Sequence, residues 1–232
     1  MDQRIFKFSG STCEWKGDQK KAKSILGGKG AGLVTMAKDG LPVPPGFTLT
    51  TDNCNAYLAL SPGLRETFMD GLMEEVDASM AWLTKEVGYT PLVSVRSGAA
   101  VSMPGMMDTI LNVGLCNDNF KDWWKRIGGR ATHDSDRRLT QMLGATAFGV
   151  PMAVFDFQLA KVKKEVGAKS DTDLDVVGLS KVVGAYRKAF EGNKGFKFPF
   201  DDPKAQLRAA IKAVFESWMN PRAIEYRKIN KL

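Results

Sequence analysis

Cysteine and long apolar runs are scarce in this sequence, and each shortage removes a class of protein. Three cysteines, Cys13, Cys54 and Cys116, stand far apart and are odd in number. They give neither a disulfide framework nor the paired spacing of a zinc site, so reduced thiols in a cytoplasmic compartment are the expectation. The first ten residues have no apolar core of signal-peptide length. No window approaches the run of about 18 apolar residues that a membrane helix needs, so no membrane partner is expected. Basic residues cluster only briefly, at Lys20–Lys23, Lys161–Lys164 and Arg222–Lys231, without the interleaved aromatics of a nucleic-acid platform. Internal repeats and low-complexity segments are also missing.

What remains is an ordinary globular composition: 232 residues, 44% hydrophobic and 25% charged. That length suits one large domain or two small lobes. The net charge of +7, from 33 basic and 26 acidic residues, fits a phosphate-bearing partner or simply a solvated basic surface.

Arg4–Phe8 alternates like a short strand, and the polar stretch 10–23 reads as a loop. A glycine run at 27–32 leads into a helix that buries Leu33, Val34, Met36 and Ala37 and stops at Gly40. Pro42, Pro44 and Pro45 force an extended segment, followed by a strand at 47–51 with Thr51 or Asp52 as the next helix cap. Residues 63–87 carry apolar side chains at Leu64, Phe68, Leu72, Val76, Met80 and Leu83, spaced for an amphipathic helix. A buried strand at 92–95 and another at 109–113 follow. From about Leu115 the pattern is helical, at 119–127, 135–148, 152–166, 176–190 and 205–218, with Pro221 opening a last short helix. The first half mixes strands with helices and the second is nearly all helix, which gives an α+β fold class.

Three features can carry chemistry. In the run Gly27-Gly28-Lys29-Gly30-Ala31-Gly32, glycines let backbone N–H groups line one concavity. A helix starting there adds its positive dipole end, and Lys29 a mobile point charge, so Gly28, Lys29 and Gly30 suit a phosphate cradle, the alternative being a purely structural glycine turn before a helix. The spacing is neither that of a Walker loop nor that of a dinucleotide fingerprint. Arg96 leaves an apolar strand just before Ser97-Gly98, where an unpaired charge is costly without an anion. Residues 102–109, rich in glycine and methionine, form an adaptable segment able to close over a ligand.

Together, LGGKGAGL, PVPPGFTLTT, LVSVRSGA, SMPGMMDTILNVGL, DSDRRLTQM and SWMNPRAIEYRKIN resemble, in order and spacing, the N-terminal part of pyruvate, phosphate dikinase. The resemblance covers nearly the whole chain. It implies the first lobe of a dikinase-type ATP-grasp domain, an α/β lobe at 1–115 plus 201–232 with a helical insertion at 116–200. It also implies ATP as ligand. Lys29 and Arg96 would hold the phosphates, with Gly28, Gly30 and Gly98 shaping the site and Met103, Gly105, Asp108 and Thr109 in the mobile loop. Arg137 and Arg138 correspond to the family's paired arginines, near the phosphate end or a docking surface. The chain departs from the family pattern at Ala100, where arginine is usual, and at Asp136, where an aromatic is typical.

The resemblance also implies what must come from elsewhere. In the family, the β-phosphoryl group of ATP passes to a carrier histidine, AMP leaves and inorganic phosphate becomes pyrophosphate. The phosphohistidine then converts pyruvate to phosphoenolpyruvate in a separate barrel domain. The sole histidine, His133, sits in no carrier-like motif and reads as a helix-start or surface residue. The Mg2+ ligands and adenine-binding strands are expected on the second grasp lobe, or on a companion polypeptide, so the chain alone is not expected to run the cycle. The competing expectation is a non-catalytic module that retained the fold and acts on another protein.

Overall fold

A computed structural model describes residues 3–10, 12–101 and 103–231. In chain order the elements are β1 (Ile5–Gly10), β2 (Thr12–Cys13), α1 (Gln19–Lys38), β3 (Val43–Leu49), α2 (Thr51–Ala59), α3 (Pro62–Val87), β4 (Val93–Arg96) and β5 (Thr109–Val113). Helices α4 (Asn117–Ile127), α5 (Gly129–Thr146), α6 (Met152–Val166), α7 (Val176–Lys194), α8 (Pro203–Glu216) and α9 (Pro221–Ile229) complete the chain. The mixture is α+β.

The chain divides into two compact units. The first comprises Met1–Pro91, Arg96–Asp108 and Val214–Leu232; the second comprises Leu92–Val95 and Thr109–Ala213. In the first, β1 pairs antiparallel with β2 and with β3, in the order β2-β1-β3. Helices α1 and α3 pack on this sheet. Phe6, Trp15, Ala22, Leu26, Ala31 and Val34 share one apolar cluster, with Phe6 and Trp15 edge to face at 5.3 Å. From α3, Met69, Leu72, Met73, Val76 and Leu83 are buried, whereas Leu64 is exposed despite its helical spacing. It lies in the first turn, beyond the core face. Met36 is likewise exposed, and Val34 and Ala37 carry the buried face of α1 there.

Two local expectations change for stated reasons. The stretch 10–23 is not all loop. The Asp18 carboxylate accepts the Lys20 amide at 2.8 Å, and this cap starts α1 at Gln19, inside the lysine-rich stretch. At the next helix the cap position is Thr50, without a side-chain cap bond; the Thr51 hydroxyl instead donates to the Ser24 carbonyl at 2.6 Å.

In the second unit, α5 packs against β5, α4 and α7, and α6 packs against α7. Phe155, Tyr186, Phe190 and Phe198 are buried among edge-to-face aromatic contacts that fill this helical core. Strand β4 pairs with β5 and extends to Arg96. Its residues alternate between half-buried and exposed, so the apolar run at 92–95 is not the buried strand its composition suggests. A two-stranded sheet leaves β4 with a single strand partner, which is why it stays partly open.

Candidate functional site

The glycine run does start a helical segment, as its composition suggests, but a first helical segment leads directly into it across a kink. Helix α1 is interrupted at Gly27, whose φ of 71° and ψ of 170° are barred to other residues, and a second helical segment starts at Gly28. A Cβ on Gly27 would lie 1.2 Å from the carbonyl oxygen of Gly98. Glycine is therefore required twice over, by the backbone angle and by the approach of residues 96–100. That segment is bonded to the kink. The Gly28 amide donates to the Ala99 carbonyl at 2.9 Å, and Lys29 Nζ donates to the Ser97 carbonyl at 2.6 Å. Gly30 is buried against Thr48 of β3. The sequence places Lys29 and Arg96 at distant positions, and the fold brings them into one electrostatic neighbourhood.

Lys29 is exposed overall, yet its ammonium rests on the Ser97 carbonyl. Partial burial and the like charge of Arg96 hold its pKa below the usual lysine value. No carboxylate forms an ion pair with Lys29 or Arg96 among the described residues. Two mutually repelling cations without an acidic partner are set up to accept an anion. The cradle is nonetheless partly self-occupied, because Gly28 N–H and Lys29 are both spent on backbone carbonyls.

The glycine-methionine loop follows within a few residues. Met103 is buried and its carbonyl accepts the Met106 amide at 3.2 Å; Gly105, with φ of 73°, turns the tip, while Met106 and Met107 are half-buried. Ser102, at the start of the SMPG motif, lies outside the described residues. The Asp108 carboxylate is taken by two side chains, Arg222 and Asn220, the latter donating at 3.1 Å. Arg222 Nε also donates to the Met106 carbonyl at 3.0 Å. Neither Asn220 nor Arg222 stood out in the sequence; the only signal was their place in the NPRAIEYRKIN match. Thr109 opens β5.

In the second unit, Arg137 is buried and pairs with Asp134 at 2.8 Å, beside Gln141. Arg138 is exposed and pairs with the other oxygen of the same carboxylate at 2.8 Å. Burial works to raise the Asp134 pKa, but the hydrogen bond and charge of Arg137, with help from Arg138, outweigh it and hold the carboxyl below its usual range. Asp136 is buried with both oxygens on Arg187 Nη2, at 2.6 and 2.7 Å. The Arg187 guanidinium lies 3.7 Å from the Phe200 ring centroid. Burial keeps the Asp136 carboxyl above its ordinary value in spite of that partner. His133 packs edge to face on Phe120 and Trp124, and burial with the Arg187 charge lowers its pKa. It is a packing residue of α5.

A separate cleft of about 410 Å³ in the first unit is lined by Arg4, Asp52, Asn53, Thr67 and Phe68 among others, and by none of the sequence-derived candidates. Its arginine is already engaged, by Asn53 and Glu75 at 2.9 Å each and by the Phe68 ring. It offers an anion no open cation. Among the described residues no group of three or more His, Cys, Asp or Glu side chains could hold a metal ion. Among the described residues no helix is long and apolar enough to cross a membrane.

Comparison with known proteins follows from this geometry. Residues 23–70 and 61–232 match the family described as pyruvate phosphate dikinase, AMP/ATP-binding domain. Over 237 residues the chain is 43% identical to the chloroplastic pyruvate, phosphate dikinase of Flaveria pringlei, covering 99% of this chain and 24% of the relative. It is 44% identical to pyruvate, phosphate dikinase 2 of Zea mays, covering 99% of this chain and 26% of that one. The chloroplastic pyruvate, phosphate dikinase 1 of Arabidopsis thaliana is 42% identical, with 99% and 24% covered. The chain thus spans about a quarter of the length of the curated relatives it matches.

Proposed function

The chain belongs to the pyruvate phosphate dikinase, AMP/ATP-binding domain family, and from that premise we propose that it is the ATP-phosphate-binding lobe of a pyruvate, phosphate dikinase-like phosphotransferase. The observation that carries the reading is the pair Lys29 and Arg96, two mutually repelling cations without an acidic partner, set against a helix break that only glycine can make. A polyphosphate between them would neutralise both and relieve the repulsion that, after burial, lowers the Lys29 pKa. Phosphoryl transfer relies mostly on such positioning and charge neutralisation.

In this proposal residues 1–115 and 201–232 are the front lobe of an ATP-grasp domain and 116–200 its helical insertion. Lys29 exchanges the Ser97 carbonyl for a phosphate oxygen, Arg96 clamps the same phosphate chain and the loop Met103–Thr109 closes over it. Mg2+ would enter with the nucleotide. Asp108 is committed to Arg222, and no acidic cluster stands by, so the metal's protein ligands would come from a second lobe or a companion polypeptide. Val101, Met219 and Ile229 are exposed apolar side chains on the segments that carry or flank the loop and its partner helix, a composition suited to burial by such a partner. Arg138, exposed beside Asp134, is the better docking residue of its pair, and Arg137 holds Asp134 in place. A reducing, cytoplasmic setting stays part of the proposal, resting on three free thiols.

Isothermal titration of the chain with ATP and magnesium tests the reading. A charge-assisted hydrogen bond is worth about 1.5–3 kcal/mol, so Lys29→Ala and Arg96→Ala should each weaken binding by roughly tenfold or more. Wild-type affinity in both variants would overturn the assignment. Absence of ATP binding together with stoichiometric capture of a defined protein would favour the non-catalytic module.

A further inference from the structure

The strongest feature outside the cation pair is the bonding of the glycine-methionine loop to the start of α9. We propose that Asn220 and Arg222 are positioning residues that clamp the loop Met103–Asp108, so that the N-terminus of α9 sets how the loop stands over a bound nucleotide. The proposal rests on the nucleotide reading of the site and adds two residues to which that reading gives no role.

The clamp has three bonds, all from the start of α9. Arg222 spans the loop, with Nε on the Met106 carbonyl and a terminal nitrogen on the Asp108 carboxylate, while the Asn220 amide holds the other carboxylate oxygen. A planar guanidinium is suited to that two-point span in a way an ammonium is not. Asn220 occupies the cap position of α9, where asparagine ordinarily bonds the helix's own amides, yet it makes no such cap bond. Its amide is directed to Asp108 instead. The platform is itself fixed: Arg227 Nη1 donates to the Trp218 carbonyl at 2.7 Å and its guanidinium stacks 4.1 Å from the Trp218 ring centroid. Ala223 is fully buried. A loop with a glycine turn at 105 and two half-buried methionines at its tip has little else to order it.

Asp108 is accordingly a structural handle of the loop, its carboxylate engaged by Arg222 and Asn220. Loosening the clamp should cost nucleotide affinity through the population of the competent loop. If the loop is in place about one-tenth of the time, apparent affinity falls roughly tenfold.

The test uses the 232-residue chain with Arg222→Ala, Arg222→Lys and Asn220→Ala. Hydrogen exchange of the 103–109 segment is measured without ligand, and ATP–magnesium affinity by titration. Arg222→Ala should speed exchange at the Met106 and Asp108 amides and weaken ATP roughly tenfold, with Arg222→Lys between it and wild type. Asn220→Ala should act in the same direction and less. Unchanged exchange would overturn the clamp, and faster exchange with unchanged ATP affinity would overturn the positioning role. Should Arg222→Ala fail to fold by circular dichroism, Asp108→Asn carries the same expectations with the side-chain shape kept. A wild-type chain that takes up no ATP would sink the nucleotide reading and the positioning role with it, whereas Lys29→Ala should lose ATP while leaving loop exchange at the wild-type rate.

Discussion

Two sets of cations, one in each unit, are used in opposite ways. In the second, Arg137 and Arg187 are answered by Asp134 and Asp136 within hydrogen-bond distance, and the charges close on themselves. In the first, Lys29 feels the charge of Arg96 and donates to the Ser97 carbonyl, and among the described residues neither cation pairs with a carboxylate. A closed pair serves the scaffold, because its Coulomb energy offsets the cost of burial and leaves nothing for a ligand. An open pair is unfavourable until an anion arrives. The contrast separates the candidate site from other basic residues better than charge density, which is spread along much of the chain.

The sharpest way to break the contrast is to remove the feature that brings the open pair together. Gly27→Ala places a methyl group on the Gly98 carbonyl and forces a side chain into a glycine-only backbone region. A cost of about 4 kcal/mol or more is expected, read as a lowered urea midpoint with the slope unchanged. A loss below about 1 kcal/mol, the range of ordinary substitutions, would mean that the helix break is not fixed by residues 96–100.

Next in size is the closed pair. Arg187→Met leaves the Asp136 carboxylate buried without its partner, at a cost of about 3 kcal/mol. Adding Asp136→Leu should recover most of that loss, since a matched apolar pair is often as stable as a buried ion pair. Denaturant unfolding of the single and double variants checks both. If the double variant is no better than the single one, packing of Arg187 on Phe200, rather than its charge, dominates.

Much of the fold was readable from periodicity. The long helix ending at Gly88, the helical second half and the strand at 109–113 follow from apolar spacing and glycine stops. What the sequence hid was tertiary. The Gly27–Gly98 approach joins positions that lie far apart in the chain, and a glycine run before a helix looks the same whether or not a first helical segment leads into it. The apolar run before Arg96 suggested burial, but strand burial depends on how many neighbours a strand acquires, and β4 has one. Lys29 and Arg96 were legible as candidates. The Asn220 and Arg222 clamp was not, because a cap-like Asn-Pro at a helix start gives no hint that its side chain serves a distant loop.

The smallest expected effect is also the most direct probe of the open pair. The Lys29 pKa is lowered first by burial and then by Arg96. A lysine whose folded pKa lies below its unfolded value of 10.5 weakens the fold while charged. That penalty is complete below the folded pKa and disappears as pH rises through it toward the unfolded one. Arg96→Ala should therefore move the Lys29 ammonium part of the way back toward 10.5 and no further, because the burial contribution survives. Saturating ATP should move it upward as well, by supplying negative charge. Side-chain NMR titration of the lysine ammonium resolves both shifts. If Arg96→Ala leaves the Lys29 titration where it was, the two cations do not sense each other, and the distinction between an open and a closed charge arrangement loses its first member.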